Sequence, residues 1–269
     1  MTIKVCVAGA TGWVGQYLVR DIVKSSEFTL TGAIARGAAG MDIGTVLSLE
    51  PVGVIVSETL SGALSKPTHV VVDYTSPGSV KERTLEALSR GVRVVIGTSG
   101  LTASDYQEID EMARRSGLGV IAAGNFSITA ALAKHFALIA AKHLHSREII
   151  DYAHADKPDA PSGTTRELAE ELASISQNRI EVPIAQTHGN PQARGATIGG
   201  TQVHSVRLPS YVIGFEAIFG LPDERLTIRH DAGSSAMPYV GGTLMALQKV
   251  MTTCGLVRGL DRLLFSDQA

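Results

Sequence analysis

Through the first half of the chain, short apolar blocks alternate with longer segments of helical spacing. "IKVCVAG" (3–9) is β-branched, apolar and closed by a glycine, the pattern of a strand buried on both faces. In "WVGQYLVRDIVKS", which follows, Val14, Tyr17, Leu18 and Ile22 fall on one helical face. "FTLTGAIA" (28–35), "HVVVDYT" (69–75), "VRVVIGTSG" (92–100) and "LGVIAAGN" (118–125) read as further strands. "VKERTLEALSRG", with Gly91 as its C-cap, and "DYQEIDEMARRSG" read as helices between them. This alternation predicts an α/β fold with a Rossmann-type, doubly wound parallel sheet.

The rhythm changes after residue 127. "ITAALAKHFALIAAKHL" (128–144) predicts a long amphipathic helix, and "REIIDYAH" (147–154) a strand. A helix is expected from about Thr164 to Ser174. "QTHGNPQARGATIGGTQ" (186–202) reads as a mobile loop, rich in Gly, Asn and Gln. "VHSVRLP", "YVIGFEAIFG" and "ERLTIRHDA" read as strands able to pair antiparallel, so this part is expected to be a smaller α+β domain. "GGTLMALQKVMTTCG" predicts a final helix.

Composition narrows the classes. A chain of 269 residues, 44% hydrophobic and 19% charged, has the balance of a globular protein with a substantial core. A formal net charge of -2 gives no electrostatic case for nucleic acid or an anionic membrane. Cys6 lies in an apolar run and Cys254 is remote from it; together they make no disulfide framework, which fits a cytoplasmic protein. The start lacks a long apolar run of the signal-peptide kind, and no membrane span is expected. His143 and His145 do not share a helical face, and the other histidines are scattered, so no metal site is expected.

Candidate chemistry begins at Gly9-Ala10-Thr11-Gly12-Trp13-Val14-Gly15, a G-x-x-G-x-x-G variant of the dinucleotide fingerprint. Gly9 suits a tight turn, Gly12 the close approach of a pyrophosphate, and Gly15 close helix–strand packing. The segment's position after a strand and before a helix is the context the fingerprint requires. At the end of the second strand, "GAIARGAAG" has no carboxylate before Asp42, and Arg36 stands just past the strand. A guanidinium there suits a 2′-phosphate, so NADPH is the preferred cofactor expected, with NADH possible as a second. The loops "DYTSPGS", "GTSG" and "AGNFS", carrying Thr75, then Gly97, Thr98 and Ser99, then Asn125 and Phe126, are expected to complete the nucleotide site.

The second candidate is "DYAHADKPDAPSGTT" (151–165), a stiff, charged loop that opens onto a helix N-terminus. Ser162, Gly163 and Thr164 at that terminus offer backbone N–H groups and hydroxyls to a carboxylate, and Lys157 offers a point charge. Ser162 reads equally as a plain N-cap. The order of "VAGATGWVG", "DYT", "GTSG", "AGNFS", "DKPDAPSGT", "VHSVRLP…GFEAIFG" and "LTIRHD" resembles the 4-hydroxy-tetrahydrodipicolinate (dihydrodipicolinate) reductase family over nearly the whole chain. The resemblance implies reduction, by NADH or NADPH, of a cyclic imine/enamine dicarboxylate of the lysine and diaminopimelate pathway. It implies a dinucleotide-binding domain over 1–127 completed by 237–269, and a substrate-binding and oligomerisation domain over 128–236. It also implies a homotetramer, with a homodimer as the smaller alternative. Carried over by position, Lys157 and His154 are the catalytic candidates, and His154, Ser162, Gly163 and Thr164 the substrate-binding ones. Two positions depart from the family pattern: Ala153 stands where the family places a proton-donating His, and Ser235 where it places an Arg. These departures point to a related imine substrate. The other class of function to weigh is a catalytically lapsed, nucleotide-sensing paralogue, which the retained Lys157–Thr164 run argues against.

Overall fold

The computed structural model describes residues 2–265; the last four residues of the predicted C-terminal completion, 266–269, lie outside it. The chain opens with β1 (Ile3–Ala8), α1 (Gly15–Lys24), β2 (Phe28–Ile34), α2 (Ile43–Val46), β3 (Val56–Ser57), α3 (Leu60–Ala63) and β4 (Val70–Asp73). It continues with α4 (Pro77–Ser89), β5 (Arg93–Ile96), α5 (Ala103–Arg115) and β6 (Gly119–Ala122). Next come α6 (Ile128–Ala141), β7 (Ser146–Ala153), α7 (Gly163–Ile175), β8 (Ala196–Ile198), β9 (Thr201–Arg207), β10 (Ile213–Leu221) and β11 (Glu224–Ala232). The chain closes with α8 (Met237–Lys249), β12 (Gly255–Arg258) and α9 (Leu260–Phe265). Two compact units result: one runs to Ile128 and resumes at Ala236, and the other spans Thr129–Ser235.

The first unit holds a seven-stranded sheet in the order β12-β6-β5-β4-β1-β2-β3, and every pairing in it is parallel. The order reverses between β1 and β4, so the loops that leave their C-terminal ends diverge to opposite faces and open a crevice. The middle strands are apolar throughout because both faces are covered: Val5, Cys6, Val7, Val70, Val71, Val72 and Val95 have no exposed surface. On α1 the buried face is Leu18, Val19 and Ile22, with Tyr17 at its margin instead of inside it. Gly91 ends α4 with φ +76°, a left-handed residue past the last turn. The predicted final helix stops earlier than its sequence pattern: α8 ends at Lys249, and "GLVR" leaves as β12, an edge strand against β6.

The second unit holds a five-stranded mixed sheet, β11-β10-β7-β9-β8. β10 runs antiparallel to both β11 and β7, whereas β9 is parallel to β7. Helices α6 and α7 cover one face through Ala130, Ala133, Ala137, Leu168 and Leu172 against Ile149, Phe215 and Phe219. The face α6 buries is made of alanines; Phe136 and Ile139 are exposed. Lys134 is buried within this layer because Glu167 and Glu171 of α7 both bind it, at 2.8 and 2.9 Å. The stretch 186–202 is more ordered than its composition suggests: it begins at the last residue of a 3-10 turn, Ile184–Gln186, and holds a second, Pro191–Arg194, and β8, which pairs with β9.

Candidate functional site

The glycine loop lies at the C-terminal end of β1, beside that of β4. Gly9 has φ +83°, and a Cβ on it would meet the carbonyl oxygen of Tyr74 at 2.2 Å. A Cβ on Gly15 would meet the Gly9 carbonyl at 2.0 Å, so this glycine serves the packing of α1 on the loop. Gly12 is different: its Cβ would come only as near as 3.0 Å to the Gly9 oxygen, and it lines an open cavity. Helix α1 has no side-chain cap and no acidic residue in its first turn; the N–H groups of Gln16 and Tyr17 are taken by the carbonyls of Gly12 and Val14, so an incoming anion would meet the N–H groups of the loop ahead of them.

Two cavities flank this loop. The larger, about 500 Å³, is lined by Gly9, Thr11, Gly12, Arg36 and Thr75, together with Glu58 and Arg83. The smaller, about 170 Å³, is lined by Trp13, Val14, Gly97, Asn125 and Phe126, with Tyr74 and Tyr239. Trp13 meets the Tyr239 ring edge-on at 5.5 Å. Gly97 makes room for Tyr74, whose ring a Cβ there would strike at 2.2 Å. The residues present fit a nicotinamide dinucleotide: glycines where the backbone must be approached, a cation at one end, and an aromatic-walled recess at the other.

Ser99 and Thr98 line neither cavity. Thr98 is buried and donates to Asp73 at 2.8 Å. The buried Asp73 carboxylate also accepts from the backbone N–H of Thr75 at 3.0 Å, from its hydroxyl at 2.6 Å, and from Arg83. Arg83 donates in turn to the Thr75 hydroxyl at 2.8 Å. One carboxylate therefore joins the loops that follow β4 and β5 to the first turns of α4.

In the second unit the loop after β7 folds largely on itself. Lys157 pairs with Asp159 at 2.7 Å and His154 with Asp156 at 2.6 Å, so each of these side chains has a carboxylate two residues on. Ser162 is buried as the N-cap of α7, and its hydroxyl donates to Asp151 at 2.6 Å. Asp151 also accepts from the Ser162 N–H, the Thr165 hydroxyl and Arg207, at 3.0, 2.8 and 2.7 Å. Burial acts to raise the Asp151 carboxyl; the bonds from Ser162 and Arg207 outweigh it and hold the group below the usual carboxylate range. Gly163 is exposed and Thr164 half-buried at the helix start. The Ser162 hydroxyl is thus committed to shaping the loop.

Ala153 is fully buried and Ser235 half-buried. Tyr152 donates to Glu216 at 2.9 Å and lies beneath the Arg229 guanidinium. Burial first, and the Glu216 carboxylate second, push its hydroxyl up to about 12, so Tyr152 holds its proton. Sequence reading missed Glu58, Arg83 and Tyr239, which reach the nucleotide cavities from β3, α4 and α8; no local motif marks them.

The family profile described as dihydrodipicolinate reductase, N-terminus, matches residues 3–126, and the C-terminus profile matches residues 126–264. The 4-hydroxy-tetrahydrodipicolinate reductase of Moorella thermoacetica is 39% identical over 264 residues, covering 98% of each chain. That of Synechococcus elongatus is 38% identical, covering 97% of this chain and 98% of its own. Among solved structures, the dipicolinate-bound dihydrodipicolinate reductase of Paenisporosarcina sp. TG-14 superposes with TM-score 0.82 at 32% identity, covering 98% of this chain and 100% of its own. An amine dehydrogenase from Mycobacterium smegmatis shares the fold at 15% identity and TM-score 0.69, covering 97% and 96%. The chain belongs to the dihydrodipicolinate reductase family and is an NAD(P)H-dependent oxidoreductase.

Proposed function

We propose that this protein reduces a C=N or conjugated C=C bond in a small cyclic imine or enamine carboxylate, as a homotetramer (or a homodimer) in the cytoplasm, with NADPH preferred and NADH accepted. In this reading the unit built on the parallel sheet binds the dinucleotide, and the unit built on the mixed sheet binds substrate and assembles. The observation that carries it is the intact Lys157–Thr164 run at the start of α7, in a chain related to these reductases from end to end. When bound, the cofactor supplies a hydride.

This chain's own residues do the rest. Backbone N–H groups of Gly163 and Thr164 receive a carboxylate, and Lys157 offsets developing negative charge. His154, partly exposed and hydrogen-bonded to Asp156, is the proton donor the loop offers. Tyr152 is a poor donor, since Glu216 holds its hydroxyl. Arg36 supports the NADPH preference from the wall of the larger cavity.

Ala153 and Ser235 favour a narrower substrate range: without the family's His and Arg at these positions, a related imine with fewer carboxylates is the substrate this chain suits best. The test is NADPH oxidation with dihydrodipicolinate and with a panel of cyclic imine mono- and dicarboxylates. Turnover of at least one is expected; tight NADPH binding with no turnover of any would sink the reading. Lys157→Ala is expected to lower kcat/KM by at least about tenfold, and an unchanged value would take Lys157 out of the mechanism.

A further inference from the structure

We propose that Glu58 is the residue through which this chain accepts NADH, and that Glu58 and Arg36 together set its choice between the two dinucleotides. The inference rests on the nucleotide site proposed above. In Rossmann-type sites a carboxylate at the end of the second strand commonly takes the ribose hydroxyls. Here β2 ends without one. The next acidic residue, Asp42, is occupied: it caps α2 and accepts from the backbone N–H groups of Gly44, Val52 and Val54 at 2.8, 3.0 and 3.1 Å.

The sheet supplies a carboxylate from the neighbouring strand instead. β3 pairs in parallel with β2 through Ala33↔Val56 and Ile34↔Ser57. The residue that follows β3 therefore leaves the sheet beside the residue that follows β2. That residue is Glu58, and it lines the same cavity as Arg36 and the glycine loop. Both side chains are exposed, and among the described residues neither makes a side-chain hydrogen bond or ion pair, with the other or with any third group. Arg83, the remaining cation on this wall, is committed to Asp73 and Thr75.

Two uncommitted charges of opposite sign thus face one ligand space. A carboxylate can accept both hydroxyls of a ribose diol and repels a phosphate in their place. A guanidinium attracts that phosphate strongly and gains far less from the diol. Each residue favours one dinucleotide, and their balance sets the ratio.

The experiment is calorimetric titration of the purified protein with NADH and with NADPH, for wild type, Glu58→Gln and Arg36→Ala. Glu58→Gln is expected to weaken NADH by about tenfold or more, through loss of charge-assisted hydrogen bonds, and so to raise the NADPH-over-NADH affinity ratio. Arg36→Ala is expected to lower that ratio, and Glu58→Asp to fall between wild type and Glu58→Gln. An unchanged ratio in Glu58→Gln, or wild-type protein that binds NADPH and not NADH, overturns the inference. Wild-type protein that binds neither dinucleotide overturns the functional reading beneath it.

Discussion

Asp73 is nearly devoid of exposed surface, yet it carries a charge that four donated hydrogen bonds hold in place. Removing one partner of such a buried pair leaves the other uncompensated, which typically costs about 3–5 kcal/mol. Asp73→Asn is therefore expected to lower unfolding stability by that order in denaturant titration. The double variant with Arg83→Met should cost less than the two single changes added together; strict additivity would mean that the pair is not coupled. This hub was only half legible in the sequence. Thr75 and Thr98 stand out as hydroxyls on loops at strand ends, but that both turn inward to one carboxylate depends on β4 and β5 being neighbours. Ser162 taught the same lesson: its place at a helix start was readable, whereas its bond to Asp151 comes from the strand beneath it. The glycines and Arg36 were readable because a contiguous motif carries them, and Glu58 was not, because strand pairing alone brings it near.

At the level of elements, the glycine loop separates folding from binding. Gly15→Ala forces a Cβ into the Gly9 carbonyl and is expected to destabilise the protein, whereas Gly12→Ala intrudes on the larger cavity and is expected to lower dinucleotide affinity with a much smaller loss of stability. Melting curves set beside binding titrations distinguish the two; equal stability losses would contradict the division. On β11, His230 packs on the helix-covered face beside Phe215, and its Nε2 is buried without a hydrogen-bond partner among the described residues. Burial lowers its pKa from the ordinary 6.5, so the folded protein refuses a proton that the unfolded chain accepts. Stability should be level above that value and fall as pH drops below it. A His230→Gln variant should lose that part of the slope in melting temperature between pH 7 and pH 5, and an unaltered slope would remove His230 from the effect. The long elements were plain in the sequence because each repeats a period several times. β3, β8 and β12 were not: at two to four residues they carry too few positions to show a period, and only the strands beside them define them.

At the scale of the molecule, one face of the mixed sheet is covered by α6 and α7, while the other presents Ile150 and Ile218, both half-buried, among Glu148, Glu216 and Arg229. A mixed apolar and paired-charge face of this kind suits contact between copies of the chain. Sedimentation is expected to give four chains per particle, and Ile218→Glu to shift the distribution to smaller species; a wild-type protein that sediments as single chains would contradict the assembly proposed. Trp13 gives the molecule one more property. It is the single tryptophan of the sequence, 49% exposed, at the wall of the smaller cavity and against Tyr239. Tryptophan emission from this protein consequently originates at one spot, on the wall of the recess that the proposed function assigns to the reduced nicotinamide ring. Light absorbed at Trp13 should pass to that ring, so the protein carries its own optical gauge of cofactor occupancy.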